Sequence, residues 1–144
     1  MPNIKTRGMK MANRRLLTDT VLLFNYVGEV NDEATYQETI IKRCYCLTDK
    51  GVSLGSQGSK ANDNCKLYIF DCHSIALSPD GSVRTYLPYE DWESNDCKSR
   101  YWTLSDKGND YFKKVESDNN FKITSFSKKN VGSHRMWHFE VNGK

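Results

Sequence analysis

Several stretches carry residue types that do chemistry, and their spacing decides what they are worth. His134-Arg135-Met136-Trp137-His138 sets two imidazoles four apart, the spacing by which a helix presents both to one zinc ion. The glutamate that would follow the first histidine as base is replaced by Arg135. The surrounding pattern is that of a strand, on which four residues span roughly 13 Å, so the two rings cannot share a metal. Asp71-Cys72-His73-Ser74 gathers nucleophile and base types. Neighbours on a strand point to opposite faces, however, and catalytic triads are assembled from distant chain positions. Cys65, Cys72 and His73 lack the close Cys-x-x-Cys pairs of structural zinc sites. Glu90 and Asp91 read as the solvated start of a helix, and no Gly-x-x-x-x-Gly-Lys-Ser/Thr phosphate cradle occurs. The expectation is a protein that is not an enzyme and that uses no metal or cofactor.

The cysteines agree with that reading. Five of them, Cys44, Cys46, Cys65, Cys72 and Cys97, make an odd set. With no leader of charged, apolar and small residues ahead of them, reduced thiols packed as small hydrophobes are expected. Cys44 and Cys46 sit two apart on one strand, a geometry that does not suit a bridge.

Composition bounds the rest. A chain of 144 residues is most simply one domain. Only 38% of it is hydrophobic but 12% is aromatic, so rings must carry much of the burial. A net charge of +3 is too mild to imply a nucleic-acid partner by itself. Aromatics interleaved with lysines, as in Lys66-Leu67-Tyr68 and Tyr111-Phe112-Lys113-Lys114, leave an oligonucleotide-binding barrel open as an alternative. The longest apolar run, Val21-Leu22-Leu23-Phe24, is too short to span a bilayer.

The elements that must position these residues are strands. Alternation at Arg135, Trp137, Phe139 and Val141 marks a half-buried strand with its aromatic face inward, and 121–126 reads as its partner. The connector between them, 127–133, is basic, with Lys128 and Lys129 at the expected hairpin tip. Further strands are expected over 20–27, 35–47, 65–72 continuing toward 77, 83–87, 101–104 and 110–115. Ile40, Ile41, Tyr45 and Leu47 occupy both parities of the second strand, which calls for a twist, a bulge or two-sided burial. Ser78-Pro79-Asp80-Gly81 is a strong turn signal, and Pro88 opens one short helical turn. The predicted fold is all-β: a small barrel or sandwich of about eight antiparallel strands over 19–144.

Two stretches stand outside that body. Residues 1–18 hold Lys5, Arg7, Lys10, Arg14 and Arg15 and no acid, and they read as an extended basic arm for assembly. Residues 48–64, rich in Gly, Ser and Asn, read as a long flexible loop. In a small β domain such a loop is a place where binding happens.

The order of motifs resembles a family of small structural proteins of tailed phages and prophages of Gram-positive bacteria, encoded near minor capsid genes in the head–tail joining cluster. The likeness runs from about Asp19 to Lys144. It is carried by Thr20-Val21-Leu22-Leu23-Phe24-Asn25-Tyr26, by Tyr36 with Thr39-Ile40-Ile41, by Gly58, Asp63 and Leu67-Tyr68-Ile69, and by Tyr101-Trp102-Thr103-Leu104. Its most specific part is the ending, Ile123-Thr124-Ser125 with Val131-Gly132-Ser133-His134-Arg135-Met136-Trp137-His138-Phe139-Glu140-Val141 and Gly143-Lys144. Two positions depart from the family pattern: Gly108-Asn109-Asp110 stands where a Gly-Asp turn is usual, and His138-Phe139 where histidine-tryptophan is usual.

The resemblance implies a virion component of the connector or neck, above all a head-closure (stopper) ring subunit between portal-adaptor and tail. A minor capsid or decoration protein is the alternative. It further implies a six- or twelve-fold homo-oligomeric ring, portal, adaptor and tail proteins as partners, non-specific contact with packaged double-stranded DNA, and no membrane. Lys50, Gly51, Leu54, Gly55, Gln57 and Lys60 are then the candidate lumen or docking residues of the loop.

Overall fold

The computed structural model describes residues 17–55, 58–107 and 109–144, with the backbone alone over 49–55 and 58–63. Among these residues are nine strands: β1 (Asp19–Val30), β2 (Glu33–Gly55), β3 (Gly58–Phe70), β4 (Ile75–Leu77), β5 (Thr85–Tyr86), β6 (Tyr101–Trp102), β7 (Tyr111–Lys114), β8 (Phe121–Lys129) and β9 (His138–Gly143). One short helix, α1 (Tyr89–Glu93), follows β5, and 3-10 turns at Lys98–Arg100 and His134–Met136 lead into β6 and β9.

Six strands pair in a circuit, β1–β2–β3–β9–β8–β7 and back to β1, every pair antiparallel. The sheet therefore closes on itself as a small barrel, which hides the strand edges of the body. β4 adds to the edge of β2 that β3 occupies further along, and β5 and β6 form a separate parallel pair. The fold is all-β, as the alternation predicts.

Local chemistry explains the pairing. β1 and β2 meet at Val30↔Glu33 across Asn31 and Asp32, whose φ of 54° and 66° are the left-handed values that a two-residue hairpin turn demands. Asn and Asp adopt that region at the least cost after glycine. The mixed parity of β2 has a single cause. Thr39 and Ile41 point inward, but past Arg43 the inward residues are Cys44 and Cys46. Arg43 lies at φ 59° where the ladder slips between Thr20↔Lys42 and Asp19↔Cys44. One extra residue there flips the buried face.

The barrel interior holds Val21 and Leu23 of β1, Ile41, Cys44 and Cys46 of β2, Cys65, Leu67 and Ile69 of β3, and Phe112, Phe121, Ile123, Phe139 and Val141 of the remaining walls. Gly143 is required in that row. A Cβ there would lie 2.7 Å from the Phe112 ring and 2.7 Å from Phe121 Cβ. Trp102, Thr103 and Leu104 are buried against the barrel. Trp102 packs edge-on against Phe139 of β9 (5.7 Å), while Thr103 beside it bonds Asn25 of β1.

Three expectations need correction. The stretch 48–64 is not a flexible loop: the β2–β3 ladder continues from Thr48↔Cys65 out to Gly55↔Gly58. Its composition lacks alternation, and the pairing comes from the strands that enter it. The closing strand begins at His138, later than expected. Phe139 and Val141 are buried as predicted, but His134–Met136 form a 3-10 turn and Arg135 is exposed. Lys128 and Lys129 are not a hairpin tip; they are the last ladder residues of β8, opposite Phe139 and His138.

Candidate functional site

Two features stand apart from the barrel. The first is the outer part of β2 and β3. β2 parts from β1 after Cys44, where the Asp19 carboxylate accepts the Cys46 N–H at 2.7 Å. β3 pairs with β9 only from Cys65 onward. From Asp49↔Asn64 to Gly55↔Gly58 the two strands pair with each other alone among the described residues. This makes a two-stranded ribbon roughly 20 Å long at the usual rise per residue. Both its edges carry backbone donors and acceptors outside any described ladder, and such edges are templates for pairing with another chain.

Lys50 and Gly51 sit in register with Asp63 and Asn62, Leu54 and Lys60 with Ser59 and Ser53, and Gly55 closes on Gly58. The ladder thus brings the candidate loop residues onto one ribbon, apart from Gln57, which lies outside the described residues. A cavity of about 410 Å³ opens at its root, lined by Leu47, Cys65, Lys66, Tyr68, Asn142 and Lys144 among others. The arm residues Lys5, Arg7, Lys10, Arg14 and Arg15 also lie outside the described residues, whereas Leu17 is buried ahead of β1.

The second feature was not foreseen. The turn after β3 and the turn before β9 meet, tied by the Asp71 N–H donating to the Trp137 carbonyl at 3.1 Å. Cys72 Sγ lies 3.3 Å from His134 Nδ1, and His134 Nε2 lies 3.9 Å from Asp71 Oδ2. Lys128 spans both oxygens of Asp71 at 2.6 Å and lies 4.2 Å over the Phe139 ring. A cleft of about 600 Å³ adjoins the cluster, with Phe70, Tyr86, Trp102 and Phe139 in its lining alongside Asp71 and His134. The sequence held a signal for half of this, Asp71-Cys72 in a run of reactive types. The imidazole is not the neighbouring His73 but His134, and only the fold brings it near.

Buried polar groups elsewhere are structural. Asp110, 2% exposed, accepts from Asn25 Nδ2 at 2.9 Å and the Tyr26 N–H at 2.8 Å. Burial pushes its carboxyl above the ordinary range. Arg84, buried too, donates to Ser99 O, Thr39 Oγ1 and Glu38 O. These bonds tie the residue just ahead of β5 to β2 and to the 3-10 turn before β6. Three thiols are core: Cys44 is pushed up to about 12 by burial, and Cys46 is raised first by its bond to Cys65 and then by burial. Cys72 and Cys97 are exposed, against the expectation of uniformly buried thiols. Among the described residues no group of three His, Cys, Asp or Glu could hold a metal ion, and no helix is long and apolar enough to cross a membrane.

No curated protein and no solved structure matches the chain. A family profile does, over residues 16–144, which is nearly all of it and includes the barrel, the ribbon and the Asp71–His134 cluster. The chain therefore belongs to that family, the family of unknown function DUF6751.

Proposed function

We propose that this chain is a virion structural protein of the head–tail connector of a tailed phage or prophage, and specifically a head-closure ring subunit joining portal-adaptor to tail. Two things support the reading. One is the resemblance carried by 20–26, 101–104 and the ending from Ile123 to Lys144. The other, which carries most weight, is the ribbon: a closed barrel hides its own edges, yet β2 and β3 run on past it. A ring subunit needs one surface that meets a different surface on its neighbour, and a projecting ribbon on a rigid barrel supplies one. In this reading the protein works by assembly and not by turnover, in a six- or twelve-fold ring within the virion. Lys50 and Lys60 of the ribbon meet DNA phosphate in the lumen without sequence preference. Lys128 is committed to Asp71, so of the two β8 lysines Lys129 is the one offered to DNA.

A second reading draws on the outer face of β1, β2 and β7. There Phe24 stacks on Tyr111 at 4.6 Å, with Tyr36 5.1 Å from Tyr111 and Tyr26 5.8 Å from Tyr36. Such a surface can stack bases, as single-strand-binding barrels do. A monomer that bound oligonucleotides with steep salt dependence would favour it.

Deleting the gene from the parent phage or prophage and imaging the lysate tests the main reading. Empty or leaking heads beside free, complete tails are the expected result. Intact, tailed, DNA-filled particles would overturn it and leave decoration of the capsid as the better account.

A further inference from the structure

The Asp71–Cys72–His134 cluster has the parts of a working thiol. The nucleophile and a base are within hydrogen-bond reach, and a carboxylate lies 3.9 Å from the base's other ring nitrogen. The Asp71 carboxylate lies on the Nε2 side of His134, which favours the tautomer carrying its proton there. Nδ1 then offers a lone pair to the Cys72 thiol 3.3 Å away. The ring is held as well as aimed. Trp137 packs edge-on against it at 4.8 Å and donates its indole N–H to the Gly132 carbonyl at 3.3 Å. Asp71 is fixed in turn by Lys128. Beside the imidazole lies the cleft of about 600 Å³, with the buried rings of Phe70, Trp102 and Phe139 behind its lining and the half-buried Tyr86 beside them, room enough for the arm of a small molecule.

We propose that Cys72 is a nucleophilic modification site, activated by His134, that forms mixed disulfides with small disulfides carrying an aromatic or apolar arm. The sulfur of Cys72 attacks one sulfur of the disulfide R–S–S–R while His134 Nδ1 takes its proton. The S–S bond breaks, its electron pair leaves on the second sulfur, and the imidazolium returns the proton to it. The products are Cys72–S–S–R and R–SH; Cys72 is oxidised, the departing R–S group is reduced, and no other oxidant enters. The R group retained on Cys72 lies over the cleft. This is a stoichiometric modification, and it stands whether or not the connector reading does.

The chain contains its own reference. Cys97 is also exposed, in the turn before Lys98–Arg100, where its described bonds are those of its backbone: its N–H donates to Asn95 Oδ1 at 2.6 Å and its carbonyl accepts from the Arg100 N–H at 3.0 Å. Cys72 is followed alone in a Cys97→Ser chain and Cys97 alone in a Cys72→Ser chain. Each is mixed with dithiodipyridine at neutral pH, and thiopyridone release gives the rate. Mass spectrometry of the peptides confirms the thiol that reacted.

Cys72 is expected to react at least about tenfold faster than Cys97, a modest share of what a well-placed general base supplies. His134→Gln in the Cys97→Ser chain is expected to bring Cys72 to within about twofold of Cys97, an effect of losing the base. Equal rates in the two chains, each of which keeps one exposed thiol beside the buried Cys44, Cys46 and Cys65, would overturn the proposal, and so would a Cys72 rate unchanged by His134→Gln. His134 is largely exposed, its side chain 62% accessible, so the substitution leaves the fold intact. Cystamine, an aliphatic disulfide, tests the cleft: Cys72's advantage should shrink with it, and an undiminished advantage would remove the cleft from the account.

Discussion

The same two strands, β2 and β3, build two different kinds of structure. Up to Thr48 and Cys65 they are walls of a barrel: Cys46, Cys65 and Leu67 are buried, β2 pairs with β1 as far as Cys44, and β3 has β9 on its other side from Cys65 inward. From Asp49 and Asn64 outward they are a ribbon whose ladder is its only described pairing. The barrel is held mainly by apolar burial, the dominant driving force of folding. The ribbon has backbone hydrogen bonds, each worth little net in water. Two-stranded hairpins are marginal alone. A segment built this way contributes little to the stability of the monomer and leaves the backbone groups of both its edges open to pairing.

That contrast breaks first at the barrel. Phe112 is fully buried, 5.7 Å from the Phe121 ring. Phe112→Ala should cost about 3–5 kcal/mol in urea unfolding. Gly143→Ala, which forces a Cβ between Phe112 and Phe121, should cost about 1–3 kcal/mol by overpacking. A loss below about half a kcal/mol in either, the size of an ordinary surface substitution, would mean that the barrel core is not packed as described.

Asp110→Asn comes next. An amide cannot accept from both Asn25 Nδ2 and the Tyr26 N–H as the carboxylate does, and an unpaired buried donor costs about 1–3 kcal/mol. The same group sets a pH slope. Its carboxyl holds its proton more tightly in the fold than in the unfolded chain, where the ordinary value is 3.8. As pH rises from that value through the raised one, the native state keeps the proton longer, so this group's contribution to stability falls. Asp80 has the opposite sign. Ser78 and Ser82 hold it at about 2, so its contribution is present above 3.8 and is lost as pH falls through 2. Urea midpoints against pH should show the first slope vanish in Asp110→Asn and the second in Asp80→Asn. Unchanged slopes would sink these assignments.

The smallest effect should come from the ribbon. Replacing 51–62 by Asn-Gly closes the ladder at Lys50↔Asp63 with a favoured two-residue turn. Monomer stability should change by less than about 1 kcal/mol, since shorter loops close at little entropic difference. A loss comparable to that of Phe112→Ala would show that the ribbon is part of the folding unit, and the contrast between the two regions would fall.

The sequence made the strands legible because alternation records burial, and it even registered the β2 bulge as residues on both parities. It could not display the ribbon. Gly51, Ser53, Gly55, Gly58 and Ser59 carry no alternation, and pairing there is inherited from Cys46↔Leu67 and Thr48↔Cys65 further in. Nor could it reveal that Arg43 alone changes the buried face, since a left-handed arginine has no composition signature. The thiol cluster was hidden by distance: Cys72 and His134 are 62 residues apart. A 3-10 turn, in place of the strand that the Arg135–Trp137–Phe139 pattern implied, carries the imidazole to the thiol.

For the proposed head-closure role, the most direct measurement is electron microscopy of particles from the phage or prophage that this reading assigns the chain to, with Asn-Gly in place of 51–62 in its only copy. If the ribbon is the assembly element of a head-closure ring, a folded protein will accumulate while heads leak and tails remain detached. Tailed, DNA-filled particles from that chain would contradict the account, because the barrel alone would then suffice.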